Sequence, residues 1–128
     1  MSKLDITPEE LIARYYVGQP ELQNMLLAHS RAVASRALSI AASHPEWNLD
    51  RDFIYEAAML HDVGVLYTDA PGIHCRGSHP YLMHGLLGGN ILRHEGLYRH
   101  ARVAERHTGT GLKAQTIVER GLPLLVMD

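Results

Sequence analysis

The chain has 128 residues, with 14 acidic against 12 basic side chains and a formal charge of −2. That length fits one domain able to bury its own core without a disulfide framework, and the charge argues against general affinity for nucleic acid, which needs a basic surface. No apolar run is long enough to span a bilayer. Met1-Ser2-Lys3-Leu4-Asp5 lacks the basic-then-apolar layout of a signal peptide, and the single cysteine, Cys75, cannot bridge internally. A cytoplasmic protein is therefore expected, with no membrane partner and no nucleic-acid partner. The unusual feature is nine histidines. They are dispersed, so they are not a purification tag, and histidine is the commonest metal ligand.

Thr7-Pro8-Glu9-Glu10 reads as an N-cap, a proline at the first helical position and acids in the first turn. A short helix should follow to about Tyr16, with Gly18 ending it. Pro20 starts a second helix that runs to about Ser43 and stops before Pro45. Its stripe of Leu22, Met25, Leu26, His29, Val33, Ala37 and Ile40 puts His29 on a core face. Asn48 or Asp50 caps a third helix. There Ile54, Ala57, Ala58 and His61 fall at i, i+3, i+4 and i+7, so the His61-Asp62 doublet closes a buried stripe, and Gly64 ends the helix. From Val63 to about Pro80 a long loop is expected, carrying His74, Cys75, Arg76 and His79. A fourth helix begins between Pro80 and His84 and ends near Glu95-Gly96, with His84, Leu87, Gly88, Ile91 and Leu92 on one face. Its Gly88-Gly89 pair costs helix stability and points to close backbone approach of a neighbour. A fifth covers Leu97 to Arg106, with His100, Val103, Ala104 and His107 on one face, and Lys113 to Arg120 makes a sixth. No convincing strand appears. The fold class is all-α, a compact bundle of about five to six helices.

A lone histidine on an apolar stripe is ordinarily a satisfied core residue. Here four different helices each place one on the face their pattern buries: His29, His61, His84 and His107. Buried imidazoles need partners, the stripes offer few, and burying the Asp62 charge is costly unless it is paired or binds a metal. Convergence on a metal resolves both demands. His44, His94 and His100 read as surface or packing residues. Cys75 reads as structural, Trp47 and Phe53 as core, and Thr108 and Thr110 as caps or turns.

These residues resemble the HD-domain metal-dependent phosphohydrolases. His29 stands in HSRAVA, matching the family's first histidine, and His61-Asp62 stands in LHDVG, matching its doublet. His84 in HGLLGGNILR and His107 in ERHTGTGL look like the further ligands of the HD-Ile-Gly subgroup. The resemblance runs from about Leu22 to Leu112. It implies a single HD-type domain over residues 1–128, built around one or two divalent transition-metal ions (Zn, Fe, Mn or Ni) and acting on a small phosphorylated substrate. Asp62 would bridge two ions, His29 and His61 completing one and His84 and His107 the other. Attack on a phosphomonoester or nucleotide would come from a metal-bound hydroxide. Arg76, His79 and Arg106 are candidates to touch the substrate. Two departures stand out. Val65 occupies a position where the subgroup often has lysine. The family's distal aspartate has no counterpart in context, since Asp128 lies on an apolar tail, so the chain is expected to stop short of the family's C-terminal helices and to hold its first metal weakly. Two rival readings follow: a non-catalytic metal- or nucleotide-binding module, and a di-iron oxygenase on the same scaffold. The oligomeric state is not legible.

Overall fold

The fold is that of a computed structural model, described over residues 5–106. Five α-helices carry it: α1 Pro8–Tyr15, α2 Pro20–Ala42, α3 Arg51–Leu60, α4 His84–His94 and α5 Tyr98–Arg106. The all-α expectation holds for these residues. The expected sixth helix and His107 lie outside them.

Local chemistry accounts for the helix ends. The Thr7 side chain accepts from the Glu10 amide while the Glu10 carboxylate accepts from the Thr7 amide, a reciprocal cap in front of Pro8. Gly18 and Gly96, both at positive φ, turn the chain after α1 and α4. Of the two candidate caps for α3, Asp50 serves, accepting from the Phe53 amide at 3.1 Å. Asn48 instead sits in the left-handed region at the end of a short 3-10 turn.

Helix α2 packs on α3, and α4 packs on α5 and on the segment after α3. Two apolar clusters result. One joins α1, the first half of α2, α4 and α5 through residues such as Leu11, Tyr16, Leu26, Leu60 and Leu92. The other joins the second half of α2 to α3 through Ala34, Ala37, Ala41, Phe53 and Ala58. The buried stripe of α2 is Leu22, Leu26, Ser30, Ala34, Ala37 and Ala41, which corrects the expected one. Small residues let α3 approach, while Met25, Val33 and Ile40 flank the contact. His29 is therefore not on the core face but beside it, exposed. Trp47, expected in the core, is also exposed and stacks on His44 with ring centroids 3.8 Å apart.

The stretch from Val63 to Pro80 is more ordered than a loop. A 3-10 helix runs Val63–Tyr67, and two-residue strands, β1 Asp69–Ala70 and β2 Cys75–Arg76, pair antiparallel. Thr68 is bridged to His79. Gly64 does not end α3: the chain passes from the doublet directly into the 3-10 helix. A Cβ on Gly64 would run into the backbone of His84 and Gly88. The glycine is there so that this segment can lie against the start of α4. The glycine pair on α4 plays the matching part, Gly88 facing Gly64 and Gly89 facing the Glu105 side chain of α5.

Candidate metal centre

The site is built where α3 ends. The last carbonyls of a helix have no intrahelical partner, and His61 uses one: its Nδ1 donates to the Ala58 carbonyl at 2.6 Å. His84, at the start of α4, does the same in the preceding turn, its Nδ1 donating to the Tyr81 carbonyl at 2.6 Å. A carbonyl only accepts, so each ring must carry its proton on Nδ1. Both Nε2 atoms then point at Asp62. His61 Nε2 lies 3.0 Å from Oδ2 and His84 Nε2 lies 3.3 Å from Oδ1. His29 reaches in from α2, with Nε2 3.1 Å from Oδ2.

One carboxylate thus gathers three imidazoles. In the neutral rings of His61 and His84, Nε2 offers a lone pair to a group that also has only lone pairs. That contact is favourable only with a cation between them, either a proton or a metal ion. The proton alternative shows in the imidazole acidities. The hydrogen bond to Asp62 holds His29 above the ordinary imidazole range despite its partial burial. Burial pulls His84 down, but Asp62 and the Tyr81 carbonyl together outweigh it and the net shift is upward. The same donors suit a divalent transition ion. Nitrogen and carboxylate oxygen are the ligands such ions take, and a ligating imidazole ordinarily has its other nitrogen held by a carbonyl or carboxylate. Donor atoms of His29, His61 and Asp62 all lie within 4.8 Å of one another. The residues fit a metal.

The centre opens on one side. The His61 side chain is 0% exposed, that of His84 8% and that of Asp62 13%, whereas that of His29 is 52%. Tyr81 walls the His84 side, its ring 4.5 Å from the imidazole. Burial, with the nearby Asp62 and Cys75, pushes its phenol pKa up.

Of the residues expected from sequence, the structure brings His29, His61, Asp62 and His84 together. Arg76 is exposed beside a cavity of about 490 Å³ that it lines with His74 and the turn between α1 and α2. His79 is exposed, and its backbone pairs with Tyr67 and Asp69. Arg106 is the exposed last residue of α5. Cys75 is buried in the core, which raises its thiol pKa. The sequence reading missed the carbonyls of Ala58 and Tyr81, which carry no side-chain signature. It also missed a buried hydrogen-bonded contact, Glu56 with His100, at 2.9 Å.

The HD domain model matches residues 26–125. An uncharacterized protein of Methanocaldococcus jannaschii is 30% identical over 101 residues, covering 77% of this chain and 53% of that protein. A tRNA (cytidine(56)-2'-O)-methyltransferase of Picrophilus torridus is 28% identical over 118 residues, covering 91% of this chain but 30% of that protein. The chain thus spans about half or less of the length of these relatives. No solved structure matches it significantly. With a helical fold, a His-Asp doublet met by histidines from two other helices and a family match over most of its length, the chain belongs to the HD domain family.

Proposed function

We propose that the protein is a metal-dependent phosphohydrolase of the HD-Ile-Gly type, acting on a small phosphomonoester or a nucleotide. HD domains are typically metal-dependent phosphohydrolases. The observation that carries the reading is the division of the Asp62 carboxylate, with Oδ2 toward His29 and His61 and Oδ1 toward His84. A carboxylate so divided suits two ions. On this reading His29 and His61 serve one, and His84, together with His107 beyond the described residues, serves the other. When bound, divalent ions lower the pKa of coordinated water toward about 7 and neutralise charge on a phosphoryl oxygen.

The chain's own residues supply the rest. The Ala58 and Tyr81 carbonyls hold two imidazoles in the ligating tautomer before anything binds, so little is spent on ordering. The half-exposed His29 leaves a solvent-facing approach for a polar substrate. Asp62 is the residue on which both metal binding and chemistry would depend. Arg76, His79 and Arg106 remain our candidates for the phosphate, being exposed basic or imidazole groups on the segments that follow the doublet and α5.

One observation favours a second reading. Val65, where the subgroup often has lysine, is 3% exposed, so that position is part of the core and supplies no cation. A metal- or nucleotide-binding module without turnover would tolerate this. The test is metal analysis of the purified protein, then phosphate release from a panel of phosphomonoesters and nucleotides with added Mn, Zn, Fe or Ni. Release that disappears in Asp62→Asn supports the hydrolase. Bound metal with no release anywhere on the panel supports the module. Iron with oxygen uptake and no phosphate release would make it an oxygenase.

A further inference from the structure

Helix α1 precedes the residues that match the family, which begin at 26. Tyr16, the residue that caps its C-terminus, nevertheless reaches the peptide next to the metal centre. Fully buried, Tyr16 donates its hydroxyl to the Val63 carbonyl at 2.7 Å. Val63 directly follows Asp62 and opens the 3-10 helix. One phenol therefore ties down the peptide that leaves the doublet. In the same segment the Gly64 backbone lies against His84 and Gly88. The distance between Asp62 and His84 depends on where this segment lies; the Thr68 hydroxyl closes its far end on the Val65 carbonyl, and the Tyr16 hydroxyl ties down the end next to Asp62.

Two other tyrosine hydroxyls anchor α1 through hydrogen bonds made outside that segment. Tyr15 donates to Glu95 at 2.7 Å, at the end of α4, and Tyr55 of α3 donates to Glu9 at 2.6 Å. They supply internal controls: each removes an α1 hydrogen bond of similar length, but only Tyr16 bears on the doublet.

We propose that Tyr16 is a positioning residue for the Asp62 centre, setting metal affinity through the Val63 peptide. The inference rests on the metal-centre reading above. The test uses full-length Tyr16→Phe, Tyr15→Phe and Tyr55→Phe, each of which keeps its ring. Three quantities are read: Co²⁺ and Zn²⁺ affinity by chelator competition, the visible absorption of the Co²⁺ form, and the melting temperature of the metal-free protein. Tyr16→Phe should bind about ten- to a hundredfold more weakly, with a shifted Co²⁺ band, while the other two stay within about twofold of wild type with an unchanged band even where they melt earlier. Wild-type affinity and band in Tyr16→Phe would overturn the inference and leave the metal reading standing. So would affinity losses in all three variants that track their melting temperatures, since that is the mark of a purely structural role. If the wild-type protein itself takes up no metal, both fall.

Discussion

Among the described residues, two carboxylates meet histidines in the interior of this small fold, and they meet them differently. At the end of α3, Asp62 faces three imidazoles, two of which have their far nitrogens committed to carbonyls. In the middle of the same helix, Glu56 faces one imidazole, His100, at 2.9 Å. In the Glu56 pair the imidazole Nε2–H donates to one carboxylate oxygen, while the buried Nδ1 has no hydrogen-bond partner among the described residues. At Asp62 three imidazole nitrogens crowd the two oxygens of one carboxylate, an arrangement that a cation completes. The comparison teaches that a buried acid–histidine contact is not in itself a site. What marks a site is an excess of donors around one carboxylate, with tautomers fixed beforehand.

The two regions should therefore respond to different perturbations. The largest loss of stability is expected from Gly64→Ala. Its Cβ meets backbone that cannot rotate away, so the cost falls at the upper end of overpacking, about 3 kcal/mol. Metal affinity should fall with it, because the His84 backbone must shift. Urea unfolding and a metal titration on the same preparation check both. Next comes Glu56→Ala, expected to cost about 2–3 kcal/mol by leaving His100 buried without its carboxylate. Metal affinity should hold, and a Glu56→Ala protein with lost metal binding would break the distinction between the two regions.

A pH series sharpens it. Burial lowers the His100 pKa below its ordinary 6.5, with Arg99 acting the same way and Glu56 and Asp50 opposing. The unfolded chain then binds the proton more readily than the folded one. The neutral ring's contribution to stability is thus present above about pH 6.5 and is lost as pH falls from there through the folded-state value. Denaturant midpoints should decline over that window in wild type, and the decline should flatten in His100→Gln. The smallest effect on stability belongs to His29→Ala. Its half-exposed side chain should matter by no more than about 0.5 kcal/mol in the metal-free protein. Metal affinity should nevertheless drop clearly. That combination, ligand loss without fold loss, distinguishes a centre at the surface of the core from a packing pair within it.

Much of this was legible in the residues. Capping chemistry located α1 and α3, glycines located the turns, and the stripe ending in His61 put the doublet at a helix terminus. The Gly88-Gly89 pair announced a close approach, though Gly88 meets the segment after the doublet and Gly89 a helix. Other features were not legible, for identifiable reasons. The buried face of α2 is made of Ser30, Ala34, Ala37 and Ala41, and small residues carry little hydrophobic contrast, so larger flanking side chains drew the expected stripe toward His29. The strands after Tyr67 are two residues long and owe their form to pairing, not to pattern. The Glu56–His100 contact joins residues far apart in sequence. The signal that could have found it is Glu56 itself, a lone acid in the otherwise apolar run from Phe53 to Leu60.

The most direct test of the central claim is a titration of metal-free protein with Zn²⁺ or Co²⁺, comparing wild type with Asp62→Ala and following both stoichiometry and melting temperature. The account predicts that wild type binds at least one ion and melts higher for it, as mass action requires, and that Asp62→Ala does neither. Failure of wild type to bind, or equal binding by the two proteins, would contradict it.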